Sequence, residues 1–335
     1  MALAQVVSPT FMSRPIKRSR SETIDLVAEK QETVSSRNFW FDDGNVVLRA
    51  EQTLFRVHGA LLARHSKIFK EMFTVAQPDN SLETTLQSTP VFSLSDTVVD
   101  LEQLLFIFYD NVKALDKSDM TYDMAAAMLR LGKKYQIDYL YEEAKIAFRK
   151  DYPTSLDDWN PTIAVIPNAR RGDMINLAHE ISLKTVLPSL YLDFISAYSL
   201  SEIIHSGKTI DEPRFTLSIR ETMIVGRDRL ILYLQEQRVL HLKWIGRNRS
   251  YVGCRNPLHC NDYRMGFFES ISLWKLNDGS PCNLGPWVER KHSSLCSSCN
   301  NQMQEIFNAT RAAAWAKLPS FFGLDEWDKL EDEAL

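Results

Sequence analysis

The clearest chemistry in this sequence is carried by its five cysteines. Cys254, Cys260, Cys282, Cys296 and Cys299 all fall within 46 of the 335 residues, a clustering that random placement gives about 0.002 of the time. Where thiols stay reduced, such crowding points to a metal rather than to disulfides. Two close pairs, Cys254-x5-Cys260 and Cys296-x2-Cys299, supply the four thiolates of a closed tetrahedral zinc site. The expected ligands are therefore Cys254, Cys260, Cys296 and Cys299. The expected role of Zn2+ is structural, because four protein sulfurs leave no position for water or substrate. The x5 spacing is wider than that of the usual zinc finger. His259 or His292 in place of one cysteine, and four buried free thiols with no ion, remain the other readings; Cys282 has no assigned role.

No second constellation of reactive residues emerges. Gly207-Lys208-Thr209 imitates the end of a phosphate-binding loop, but Glu202 stands where its first glycine belongs, in a helical stretch. His179-Glu180 opens a zinc-protease string that fails at Leu183, and there is no nucleophile elbow or dinucleotide fingerprint. The expectation is a protein that is not an enzyme.

The elements that would position the cysteines follow from periodicity. Residues 1–38 are polar and lack an apolar period, which predicts a disordered arm; Arg14, Lys17, Arg18 and Arg20 within it read as a solvated tail or as a nuclear-import signal. Val46–Ala50 and Thr53–Val57 predict a hairpin across Glu51-Gln52, two residues poorly suited to positive φ. From Leu61 to Phe73 the apolar period becomes helical, with Ser66 dividing two helices and capping the second. A third strand at 91–94 leads to a helix with Asp96 as its N-cap and Asp100 and Glu102 in its first turn. Thr121 opens a further helix, and another runs from Tyr139 to about Lys150. Beyond it, prolines 153, 161 and 167 mark a connection. Helical stretches then follow at 174–184, 188–204 and 218–244, with helix again from 263 to 276 between the cysteine pairs. A last helix from about Asn301 is expected to stop at Pro319. Phe321, Phe322, Leu324 and Trp327 would fold back as a clasp, ahead of an acidic solvated tail.

The string Val46-x-Leu48, Phe55-x-Val57-His58, Leu61-Leu62, Ser66-x-x-Phe69-x-x-Met72-Phe73, Leu94-Ser95-Asp96 and Lys134-Tyr135 resembles a BTB/POZ domain over residues 39–150. Gly59 departs from that family, many of whose members carry Lys or Arg there, and His58 reads as a structural residue at the root of the helical hairpin. Cys254 to Cys260, Leu295-Cys-Ser-Ser-Cys and Trp315-x-x-Leu-Pro-x-x-Phe-Gly-Leu324 are similar to the C-terminal part of a large fungal set of BTB proteins. The resemblance implies an α+β chain: a small three-stranded sheet covered by helices (39–150), a helical extension (151–245), a Cys-rich helical region (246–318), and a clasp and acidic tail (319–335). It further implies a protein-interaction module that forms a homodimer through the BTB domain and acts as a scaffold or as a substrate adaptor for a cullin-type ubiquitin ligase.

Composition bounds the partners. The net charge of −4 excludes a broadly basic nucleic-acid coat. The segment from Cys254 to Cys299 carries a net of only +1, thin for phosphate contact, so a zinc-containing transcription regulator is the alternative and a nucleic-acid partner is not expected. With no run of eighteen apolar residues and no signal peptide, neither a membrane partner nor secretion is expected. The protein is expected to be intracellular, in cytoplasm or nucleus.

Overall fold

The computed structural model describes residues 33–75, 85–86, 89–110, 120–159, 171–207, 214–247, 253–272, 284–286 and 294–333. The basic cluster at 14–20, Cys282 and His292 lie outside the described residues.

Strands β1 (Val34–Trp40), β2 (Val46–Ala50), β3 (Thr53–Val57), β4 (Thr85–Leu86) and β5 (Thr89–Leu94) form a mixed sheet in the order β1-β3-β2-β5-β4. The β2–β3 hairpin pairs Leu48 with Phe55 and Val46 with Val57, and all four side chains are buried. Its tight turn puts Glu51 at φ 50, so the unfavourable turn chemistry is real, and the paired apolar faces override it. β5, which contains the expected third strand, runs parallel to β2. Two additions correct the three-stranded expectation. The two-residue β4 extends one edge, and β1 runs parallel to β3 at the other, so residues 34–38 are sheet and not part of a disordered arm. The first five residues of β1, Val-Ser-Ser-Arg-Asn, are mostly polar and give no strand signal, and on this edge only Ser36 and Phe39 are buried.

Helices α1 (Gly59–His65) and α2 (Lys67–Val75) follow the hairpin. Ser66 separates them in extended backbone: its Oγ accepts the Phe69 amide at 3.1 Å and donates to the Tyr135 carbonyl at 2.7 Å. That one hydroxyl caps α2 and ties it to the far side of the domain. Gly59 begins α1 because a Cβ there would meet Val46 Cγ1 at 3.0 Å. His58 is held by Tyr109, whose hydroxyl lies 2.8 Å from Nδ1, and by Asp43, 3.2 Å from Nε2.

Helices α3 (Val98–Asp110), α4 (Tyr122–Lys134) and α5 (Asp138–Asp151) complete this unit. Thr121 caps α4 as expected, accepting the Met124 amide. Asp96 does not cap α3; Thr97 does, accepting the Asp100 amide at 3.1 Å. Asp96 is buried and instead accepts from Lys134 Nζ and the Tyr135 hydroxyl, which pushes the tyrosine pKa up through burial and the adjacent carboxylate. A one-residue offset thus turns a helix cap into a buried carboxylate paired with an exposed lysine.

The core does not stop at residue 150. A single apolar cluster continues from the sheet through α6 (Arg171–Glu180), a 3-10 turn (Lys184–Val186), α7 (Leu187–Ala197), α8 (Leu200–His205) and the 31-residue α9 (Leu217–Arg247). The helix expected over 188–204 is interrupted, because Ser199 and Glu202 form a reciprocal capping box that starts α8. α6 closes with Ser182 at φ 60, with the Leu183 amide bonded to the Ala178 carbonyl; this is the geometry usually given to glycine.

Helix α10 spans Pro257–Ser272 and α11 Ser297–Ala316. Pro319 does not end α11. It sits in the first turn of α12 (Leu318–Phe321), where its missing N–H costs nothing. The clasp closes as expected: Phe322 packs on Tyr191, Phe321 on Tyr233, and Trp327 stacks on Trp315. The acidic end is not a free tail. Leu330 and the Asp332 side chain are buried, and Asp332 and Glu333 bond to α5, α4 and the 3-10 turn.

Candidate metal centre

Two loop-to-helix junctions bring the cysteines together. Gly253, at φ 82, turns the chain into Cys254. Asn256 then starts α10, its carbonyl accepting the Cys260 amide at 3.0 Å and its Oδ1 accepting the His259 amide at 3.4 Å, while Pro257 occupies the first turn. This extra turn is why the first pair needs five intervening residues: Cys254 stands ahead of the helix and Cys260 on it. In the second pair Cys296 is the N-cap of α11 and Cys299 lies in its first turn. The positive ends of two helices therefore face the same point, which favours thiolate over thiol.

The four Sγ atoms all lie within 4.8 Å of one another, and Cys254 Sγ and Cys296 Sγ are 3.9 Å apart. Tetrahedral zinc–thiolate bonds of about 2.3 Å require sulfurs about 3.8 Å apart, so the set is close to the size that such an ion needs. Cys260 and Cys299 are buried with Leu295 and Met303, while Cys254 and Cys296 lie at the rim of this small cluster, separate from the main core. The Arg255 amide, followed by that of Cys299, draws the Cys296 thiol down to about 6. Burial pushes the Cys260 and Cys299 thiols up. The Cys296 amide also points at Cys260 Sγ, 3.5 Å away. Amide donors on sulfur and a compact set of four thiols are what a soft divalent cation selects. The arrangement could hold a metal ion, compatible with zinc.

All four cysteines expected as ligands are together. His259 is exposed and outside the group. Sequence reasoning missed Asn256 and Arg264. Arg264 is fully buried one turn after Cys260, and its Nε donates to the Cys260 carbonyl at 3.1 Å. With a divalent ion bound, a positive charge there would offset the net negative charge that four thiolates leave around it. The i, i+4 spacing was the available signal, but nothing in a lone arginine tells it from a solvated one.

The other end of α11 reaches the main core. Arg311 Nε donates to the Leu284 carbonyl at 2.6 Å, and its Nη2 lies 3.4 and 3.5 Å from the carbonyls of Leu156 and Trp159. The Trp315 indole donates to the Thr154 carbonyl at 2.8 Å. Among the described residues no helix is long and apolar enough to cross a membrane.

Residues 37–151 match the BTB/POZ domain family, the stretch that holds the end of β1, β2–β5 and α1–α5. No curated protein matches the chain.

Proposed function

We propose that the chain is a non-enzymatic interaction protein that self-associates through its BTB/POZ domain and works as a scaffold or as a substrate adaptor for a ubiquitin ligase. The observation that carries this reading is the match over residues 37–151, since a BTB/POZ domain is a protein–protein interaction fold. The expected units (39–150, 151–245, 246–318 and 319–335) are kept as its working parts, and a cytoplasmic or nuclear setting suits four reduced thiols. The Trp315-to-Leu324 motif builds the clasp, which supports placing the chain with the fungal BTB proteins that end in a Cys-rich region.

Zn2+ on Cys254, Cys260, Cys296 and Cys299 would pin α10 to α11, supported by the mutual reach of the four sulfurs. Its role is structural, since the set leaves no open coordination position. Size-exclusion chromatography with light scattering at low micromolar concentration tests self-association: a dimer mass is expected, and a strict monomer ends that part of the reading. Capture of a purified cullin tests the adaptor role separately.

A further inference from the structure

The four sulfurs of the cysteine centre are not equivalent. Cys260 and Cys299 are sealed in with Leu295 and Met303, 1% and 0% exposed, and each stands in the first turn of its helix. The Cys296 amide donates to Cys260 Sγ, which ties that sulfur in place. Cys254 and Cys296 are half-buried at the rim. Both stand ahead of the helices: Cys254 follows Gly253 in left-handed backbone, and Cys296 is the extended N-cap of α11. Gly253, Arg255 and Ser297, which flank them, are exposed, as are residues 256–259. Solvent therefore reaches the rim pair and is kept from the buried pair.

The rim sulfurs are also poised to join. Cys254 Sγ and Cys296 Sγ lie 3.9 Å apart, against about 2.05 Å in a disulfide. The flanking chain is close as well, since a Cβ on Gly253 would lie 3.5 Å from Ser298 Oγ. A small adjustment of two side chains on non-helical backbone closes the remaining gap.

We infer that Cys254 and Cys296 form a redox switch on the cysteine centre: a hydroperoxide joins them as a disulfide, leaving only Cys260 and Cys299, too few sulfurs to retain an ion. This rests on the reading above that the four cysteines hold zinc. One rim thiolate attacks the peroxide; an S–O bond forms as the O–O bond breaks, hydroxide leaves, and a sulfenic acid results. The second rim thiolate attacks that sulfur; an S–S bond forms as the S–O bond breaks, and a second hydroxide leaves. The two sulfurs give up two electrons, and hydrogen peroxide takes them up with two protons from solvent to become two waters. The disulfide links the same positions, 42 apart, that the ion would bridge. Oxidation thus empties the site and keeps α10 clipped to α11, whereas chelation of the reduced chain loses both.

The test takes the unaltered chain, purified under reducing conditions and then freed of reductant, counts its zinc by elemental analysis, and adds excess hydrogen peroxide with a chromogenic zinc reporter. One zinc per chain is expected to be released, peptide mapping without reduction is expected to find Cys254 joined to Cys296, and a thiol reductant with added zinc is expected to reverse both. The oxidised chain is expected to melt within about 2 °C of the zinc-loaded one, while the chelated, reduced chain falls by about 6 °C. A chain without zinc at the outset refutes the zinc reading and the switch with it. Zinc that is present at the outset and stays bound through oxidation overturns the switch alone. So does release accompanied by a disulfide to Cys260, Cys282 or Cys299, by sulfinic acid without a disulfide, or by a Tm as low as that of the chelated chain.

Discussion

Replacing Cys260 by serine probes the cysteine centre most directly, because Cys260 is buried and its sulfur sits among the other three. Cys254 and Cys296 are 42 positions apart, so an ion bridging the two pairs closes a loop of that length. Treated as a cross-link, such a closure stabilises by about 4 kcal/mol through the unfolded chain. A chain of 335 residues unfolding as one unit has an entropy of about 0.7 kcal/mol/K at its midpoint, so losing the clip lowers Tm by about 6 °C. Elemental analysis and calorimetry on protein purified under reducing conditions read the two quantities. The unaltered chain is expected to hold one zinc, Cys260→Ser none, and Cys282→Ser one zinc with an unchanged Tm. A strong chelator is expected to lower the Tm of the unaltered chain by the same amount and to leave Cys260→Ser where it is. An unaltered chain that takes up no zinc on reconstitution, with a Tm indifferent to the chelator, refutes the reasoning.

Ser66→Ala removes the cap of α2, worth about 1 kcal/mol, and strips the buried Tyr135 carbonyl of its donor, worth about 1–3 kcal/mol more; a urea midpoint shift equivalent to less than the cap alone would show that the hydroxyl does not couple the two helices. Gly226→Ala places a methyl group against the Phe322 ring. Overpacking of about 1–3 kcal/mol is expected to outweigh the helix-propensity gain of about 1 kcal/mol, so a higher Tm for this variant would mean that the clasp is not seated on α9. Burial holds the His179 pKa below its ordinary 6.5, with Tyr191 Oη 2.6 Å from Nε2. The unfolded chain therefore binds the proton more readily, so this contribution is complete above about pH 6.5 and is lost as pH falls below it. His179→Gln is expected to flatten that part of the stability profile measured by denaturant titration, and an unchanged slope between pH 5 and 7 would assign the acid sensitivity elsewhere.

Much of the BTB unit was legible because its signals are local. The hairpin shows as two β-branched runs, the α1–α2 pair as a change of period at Gly59, and the division at Ser66 as a capping residue between apolar turns. β1 was not legible, since an edge strand buries few side chains and its pairing with β3 is a tertiary choice. Asp96 was misplaced by one position because Asp and Thr are both good caps, and only the arrival of Lys134 and Tyr135 decides between them. At the cysteine centre the two pairs that come together were readable from spacing, whereas the role of Asn256 and the burial of Arg264 depend on where α10 begins. The acidic end was misread for a general reason: charge patterning distinguishes soluble from buried on average, and Asp332 is buried only because Thr185 and Arg149 meet it from elements that lie more than a hundred residues earlier.

Helix α11 has a consequence beyond the packing that forms it. Its 20 residues make a stiff connection about 30 Å long between the sulfur cluster and the Thr154–Trp159 loop just outside the BTB unit. A displacement at the cysteine end is delivered to that loop with little loss, since an intact helix bends far less readily than the loops at its ends. An ion held by the cysteines would thereby be mechanically joined to the posture of the BTB unit's exit, and stress applied to a partner-bound BTB domain would in turn be felt at the cysteines.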